Sequence, residues 1–120
     1  MDISVEYQKE NVILRVSGSI LGEDRIELSD KIQELVDDGG KNVVLNFRDV
    51  DLMDSVGLGM LVALRTSLMR REVRLLLSNV DRSVRSLLLI TKLNNVFDLY
   101  DTEEEALADL DSAEKDRFMV

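Results

Sequence analysis

The chain has no cysteine, histidine, tryptophan or proline among its 120 residues. Each absence closes a class of function. Without cysteine there is no disulfide framework, no thiol nucleophile and no thiolate metal site. Without histidine there is no Ser-His-Asp triad and no imidazole ligand for zinc, so a bound metal would have to be a hard cation held by oxygen. No cofactor is expected. Long apolar runs are missing too. The longest near-apolar stretch, Val56 to Leu64, has nine residues, whereas a membrane span needs about 20. The N-terminal Met1-Asp2-Ile3-Ser4-Val5-Glu6 lacks the basic and apolar regions of a signal peptide. A soluble, cytoplasmic protein is expected.

The chain carries 24 acidic and 15 basic side chains, a formal net charge of −9. Phosphate binding needs a basic face, so nucleic acid is not an expected partner. The charge is unevenly spread. Residues 98–117 carry nine acids and two bases, whereas residues 65–92 carry seven bases and two acids. This pattern suits a solvated helix face beside an acidic tail, or a charged docking surface for a protein. The length fits one domain, and a hydrophobic content of 45% is enough to build its core. Residues 1–111 are expected to form that domain, with 112–120 as a frayed tail. The apolar end of the tail, Phe118-Met119-Val120, has an alternative role of docking on the sheet or on a second copy, as in a weak homodimer.

Periodicity alternates between strand and helix. Residues 3–8 and 12–18 read as strands joined by a turn at Lys9-Glu10-Asn11; Val12, Leu14 and Val16 mark one buried face. Residues 24–38 place Leu28, Ile32, Leu35 and Val36 on one helical face, and Gly39-Gly40 stops that helix. The apolar run at 42–48 reads as a strand covered on both sides. Residues 55–70 return to helical spacing, and 73–78 form another central strand. Asp81 can cap a helix over 82–91. Residues 95–100 read as a last strand, and Thr102-Glu103-Glu104-Glu105 opens a final helix with a capping-box pattern. The order predicts an α/β fold, in which an N-terminal hairpin and parallel βαβ units form a small mixed sheet packed with about four helices. In such sheets, sites gather at the carboxyl ends of the parallel strands.

That end holds Asp51-Leu52-Met53-Asp54-Ser55-Val56-Gly57-Leu58-Gly59. Asp54 or Ser55 is placed to cap the helix, and the two glycines permit close approach to its first turn. The positive end of the helix would stabilise an anion attached to Ser55. The plainer alternative is that Ser55 is only a cap and the glycines only permit packing. Enzymatic motifs do not fit. Gly57-Leu58-Gly59 lacks the third glycine of a dinucleotide fingerprint, which would fall at Val62, and it has no Gly-Lys-Ser/Thr of a P-loop. Ser55 is no nucleophile elbow, because Met53 stands where a glycine is needed and no histidine can serve as base. Asp49, Asp51 and Asp54 can be read as a cation cluster or, more plainly, as loop and cap carboxylates.

The segment from Leu45-Asn46-Phe47 through Met53-Asp54-Ser55-Val56-Gly57-Leu58-Gly59-Met60-Leu61 resembles the central motif of STAS domains, and among them the bacterial anti-sigma-factor antagonists. The likeness takes in the paired N-terminal strands ending in Gly18, the helix over Val84–Ile90, and Val96-Phe97-Asp98-Leu99-Tyr100-Asp101 with the acidic helix start behind it. The resemblance implies a binding module that is a substrate of enzymes and not an enzyme. It implies a serine-kinase anti-sigma factor as partner and a serine phosphatase as a second one. It also implies Ser55 as phosphoacceptor, with only the unphosphorylated form binding and so releasing a sigma factor. Its alternative is a constitutive STAS scaffold in a stress-sensing or transport complex. The implied contact surface combines Ser19, Leu21, Glu23 and Asp24 with Asp54, Val56, Gly57, Leu58 and Gly59, and with Arg65 on the exposed side of the helix, near Thr66, Ser67 and Arg70. The sequence departs from the family at Val56, where a small hydroxyl residue is common. It departs again at Leu21, where the usual Gly-Glu-Leu-Asp loop has its aspartate. Glu72-Val73 and Lys92 stand where glycines are usual.

Overall fold

The computed structural model describes the backbone of residues 1–118 and the side chains of residues 1–113. Five strands and four helices alternate in the order expected. They are β1 (Asp2–Gln8), β2 (Asn11–Ile20), α1 (Asp24–Asp37), β3 (Asn42–Met53), α2 (Ser55–Arg70), β4 (Arg74–Ser78), α3 (Arg82–Ile90), β5 (Asp98–Tyr100) and α4 (Glu103–Phe118). The strands lie in sequential order in one sheet; β1 runs antiparallel to β2, and all later neighbours are parallel. This is the small mixed α/β sheet that the periodicity implied.

Crossovers between parallel strands are right-handed as a rule, and here the strands progress steadily across the sheet. The three connecting helices therefore share one face. Side chains of alternating parity on the strands confirm this. Val12, Leu14, Val43, Leu45, Phe47, Leu75 and Leu77 pack with Leu28 and Ile32 of α1, Leu61, Leu64 and Leu68 of α2, and Val84 and Leu88 of α3. The intervening residues Ile13, Val44 and Leu76 point to the other face, where Ala106 and Leu110 of α4 cover them. The central strands are thus apolar on both sides.

Helix ends follow local chemistry. After α1, Gly39 adopts φ +114°, and Gly40 lies so close to the core that an added Cβ would sit 2.7 Å from Val12 Cγ2. After α2 and α3 the same left-handed turn is taken by Glu72 (φ 59°) and Lys92 (φ 61°), so the two missing glycines change the residue and not the path. The amides of Val73 and Leu93 donate back to Leu68 O and Leu88 O at 2.9 and 2.8 Å.

The largest departures from the expected boundaries are three. β3 runs five residues past 48, because Asp49–Met53 pair with Ser17–Ile20 of β2 through two register shifts. That pairing is invisible in the polar pattern Asp49-Val50-Asp51. β5 starts only at Asp98; residues 94–96 form a turn after α3, with Val96 N donating to Leu93 O, and Phe97 plugs the core at 5% exposure. The backbone continues as helix through 112–118, where a tail was expected. Met119 and Val120 lie outside the described residues.

Candidate functional site

The paired ends of β2 and β3 run past the last β3–β4 pair, Asn46↔Ser78, before α2 begins, so the first turn of α2 stands at the rim beside the β2–α1 loop. Asp54, extended at φ −92°, is the N-cap. Its Oδ1 accepts from Gly57 N at 2.8 Å, and its Oδ2 accepts from Gly22 N at 3.1 Å. Its own N–H donates to Ile20 O at 3.4 Å. One carboxylate thereby starts the helix and ties it to the neighbouring loop. The amide of Gly57, and then that of Gly22, hold its pKa below the ordinary aspartate value, because each bond favours the charged form.

The capping role belongs to Asp54 and not to Ser55. Ser55 is the first helical residue, is exposed, and takes part in none of the side-chain hydrogen bonds among the described residues. Its hydroxyl is free at the positive end of a 16-residue helix.

The glycines divide. A Cβ on Gly57 would meet Met53 Cγ at 3.0 Å and Ile20 O at 3.1 Å, so this residue lets α2 seat on β2. Gly59 has nothing within 4 Å of its Cβ position and is exposed. One helical turn beyond Ser55, it leaves open space beside the hydroxyl. Gly57 and Leu58, both expected in a contact surface, are buried, Leu58 at 3% exposure in the larger core; their contribution is to packing.

The other expected residues spread around this point. In the β2–α1 loop Ser19 is half-buried, and Leu21 and Glu23 are exposed. Asp24 turns back on its own loop, accepting from Leu21 N at 3.1 Å. Glu23 makes no side-chain cap bond, so of the two acids it is the one turned to solvent. Val56 is exposed. Arg65 is half-buried and does not line the groove described next. Ser67 does line it, and its Oγ accepts from Gln33 Nε2 at 3.4 Å, whereas Thr66 donates to its own helix at Val62 O.

Sequence reasoning missed the α1 side of the surface. Between α1 and α2 runs a groove of about 550 Å³, lined by Arg25, Ile26, Ser29 and Gln33 from α1 and by Val56, Met60 and Ser67 from α2, among others. Leu21, Ile26, Leu52 and Val56, between 38% and 49% exposed, are four of the large apolar side chains left in solvent. All four lie on the loop, strand end and first turns that meet at Asp54. The signal was present: Ile26 is out of phase with the buried stripe Leu28-Ile32-Leu35, and Leu52 is apolar in an acidic run. Among the described residues, no group of three or more carboxylates is arranged to hold a metal ion, and no helix is long and apolar enough to cross a membrane.

Residues 2–106 match the STAS domain family. The chain belongs to that family. Its fold is similar to that of the anti-sigma factor antagonist SpoIIAA in its unphosphorylated form, at 24% identity over 92% of this chain and 97% of that one, with a TM-score of 0.79. The Bacillus SpoIIAA in the phosphorylated form has 23% identity over 91% and 99% of the two chains and a TM-score of 0.71. An anti-sigma factor antagonist from Mycobacterium paratuberculosis has 26% identity over 90% and 92% and a TM-score of 0.77. A sulfate transporter family protein from Wolinella succinogenes has 21% identity, 84% coverage of both chains and a TM-score of 0.69. Proteins described as anti-sigma factor antagonists and a sulfate transporter family protein thus share this fold.

Proposed function

We propose that the protein is an anti-sigma-factor antagonist of the cytoplasm, switched by phosphorylation of Ser55. Unphosphorylated, it binds an anti-sigma factor that has serine kinase activity and so frees a sigma factor for transcription. Phosphorylated, it releases that partner until a serine phosphatase restores the hydroxyl. It acts as a substrate of these enzymes and catalyses nothing itself.

The observation that carries this reading is the free, exposed hydroxyl of Ser55 set among exposed apolar side chains. The cap is supplied by Asp54, so Ser55 can be modified without removing the bond that starts α2. A phosphate adds about −1.5 to −2 charge and three acceptor oxygens. The helix N-terminus tolerates that charge, so the fold persists. A partner packed on Leu21, Ile26, Leu52 and Val56 would instead have to bury it. Taking a complex from nearly all bound to nearly all free requires a difference of about 10⁴-fold in affinity, or about 5.5 kcal/mol. Burying an unpaired, doubly charged group in an apolar contact is sufficient for that.

The test compares Ser55→Ala and Ser55→Glu in binding to a kinase-type anti-sigma factor, with ATP-dependent modification followed by intact mass and peptide mapping. The switch requires binding by the alanine variant, loss with glutamate, and modification at Ser55 alone. The likeness to the sulfate transporter family protein supports a second reading, a constitutive interaction module, which predicts equal binding by both variants and no modification.

A further inference from the structure

The sheet has two unequal edges. β5 has three residues, whereas β1 has seven. β1 contains no proline or lysine, and its register with β2 runs without a shift from Asp2↔Ser17 to Gln8↔Asn11. Proline, lysine and bulges are devices that edge strands ordinarily use to discourage pairing, and β1 has none of the three; its only charges are Asp2 and Glu6.

The backbone of β1 has a defined parity. A two-residue turn makes its flanking residues, here Gln8 and Asn11, a hydrogen-bonded pair. Counting back by twos, Glu6, Ser4 and Asp2 also exchange bonds with β2. The N–H and C=O groups of Ile3, Val5 and Tyr7 therefore point away from the sheet. The side chains of these three share the face that carries α1, α2 and α3. Ile3 and Val5 pack at the margin of the larger core, and Tyr7 is 58% exposed.

We propose that this edge pairs antiparallel with β1 of a second copy, Val5 opposite Val5, joining two five-stranded sheets into one continuous sheet. Charge selects that register. Centring the pair on Ser4 sets Asp2 against Glu6 twice, and centring it on Glu6 sets two glutamates against each other; like charges directly opposite are destabilising. Centring on Val5 sets Asp2 against Gln8, Ser4 against Glu6, and Ile3 against Tyr7, an apolar aromatic pair of the stabilising kind. Glu6 is already partnered by Arg15 at 3.1 Å. The contact consists of the edge bonds of three residues per copy and a few side chains, so it is a weak dimer formed at high concentration. It lies on β1, away from α2, and is independent of the reading of Ser55.

Two variants separate the edge from the fold. Val5→Pro removes an outward-facing N–H and no bond to β2. Ser4→Glu sits across the hairpin from Arg15, which favours the monomer, yet lies opposite the partner's Glu6. Sedimentation velocity from about 10 µM to about 1 mM is expected to show concentration-dependent dimerisation of the wild type. In each variant the dissociation constant should rise at least about tenfold, with far-UV circular dichroism unchanged. In a mixed-labelled sample, a contact between Ser4 Hα and Glu6 Hα of the two copies identifies the register, because such protons approach closely in non-hydrogen-bonded pairs. A wild type that stays monomeric throughout overturns the proposal. So does a dimer that persists in Ser4→Glu, or one with another register.

Discussion

The two glycines of α2 give opposite predictions from the same substitution. At Gly59 an alanine Cβ enters open space on an exposed helical surface. Glycine in a helix interior costs about 0.5–1 kcal/mol relative to alanine, so Gly59→Ala should stabilise the protein by about that amount. At Gly57 the same methyl would lie 3.0 Å from Met53 Cγ, 3.1 Å from Ile20 O and 3.3 Å from Ile20 Cγ2. Met53 can give way, but Ile20 O cannot, because it belongs to β2 and accepts the Asp54 amide. Overpacking a tight contact costs about 1–3 kcal/mol, against a smaller gain in propensity because Gly57 lies in the first turn. The net expectation is destabilisation of about 1–2 kcal/mol. Urea unfolding at 25 °C reads both. With a slope of about 1–3 kcal/mol/M, the midpoint should rise for Gly59→Ala and fall for Gly57→Ala, separating the two by about 1 M. Equal midpoints would refute the close seating of α2 on β2. Loss of stability at Gly59 would refute the open space beside Ser55. In partner binding the order reverses for Gly59, since the added methyl stands one turn from the hydroxyl and is expected to weaken docking while the fold gains.

Further outcomes follow from the same geometry. Ile26→Asp and Val56→Asp, both exposed, should leave stability within about 0.5 kcal/mol and weaken binding of the anti-sigma factor; unchanged binding in both would remove the α1–α2 groove from the contact. Lys92→Gly should stabilise by about 1 kcal/mol, because it relieves a side chain held in the left-handed region; thermal unfolding checks this. Arg15, then Asn46, bond to Glu103 at 2.6 and 2.7 Å and hold its carboxyl below the usual range. A depressed folded pKa adds stability above the unfolded value that is lost as pH falls through the folded one. Glu103→Gln should therefore flatten the acid limb of the stability curve below about pH 4.3 and cost about 1 kcal/mol at neutral pH, discounted because Arg15 is partly in solvent. Burial first, and then the bond to Asp109, push the Tyr100 phenol from 10.0 up to about 12. Its contribution is complete below pH 10 and is lost between 10 and 12, so Tyr100→Phe should lose less stability across that window in alkaline unfolding.

Much of this protein is written in local pattern. The 3.6-residue spacing of Leu28, Ile32, Leu35 and Val36 and the apolar run at 42–48 act through neighbours in the chain, so helix and strand are legible there without knowledge of the fold. The family motif around Ser55 was legible for the same reason. What the linear pattern did not contain was anything set by a distant partner. Asp49–Met53 became strand only because β2 offered a ladder to pair with. The segment before Asp98 became a turn because the close of α3 used its backbone bonds, leaving only Asp98–Tyr100 to join the β4 ladder. The capping bond of Asp54 to Gly57 is local, but the tie of its other oxygen to the Gly22 amide, 32 residues away in sequence, exists only in the fold. The groove beside Val56 exists because successive right-handed crossovers set α1 and α2 side by side on one face. Local periodicity determined the elements; long-range hydrogen bonds and the handedness of the connections decided which side chains are buried as packing and which stand free around Ser55.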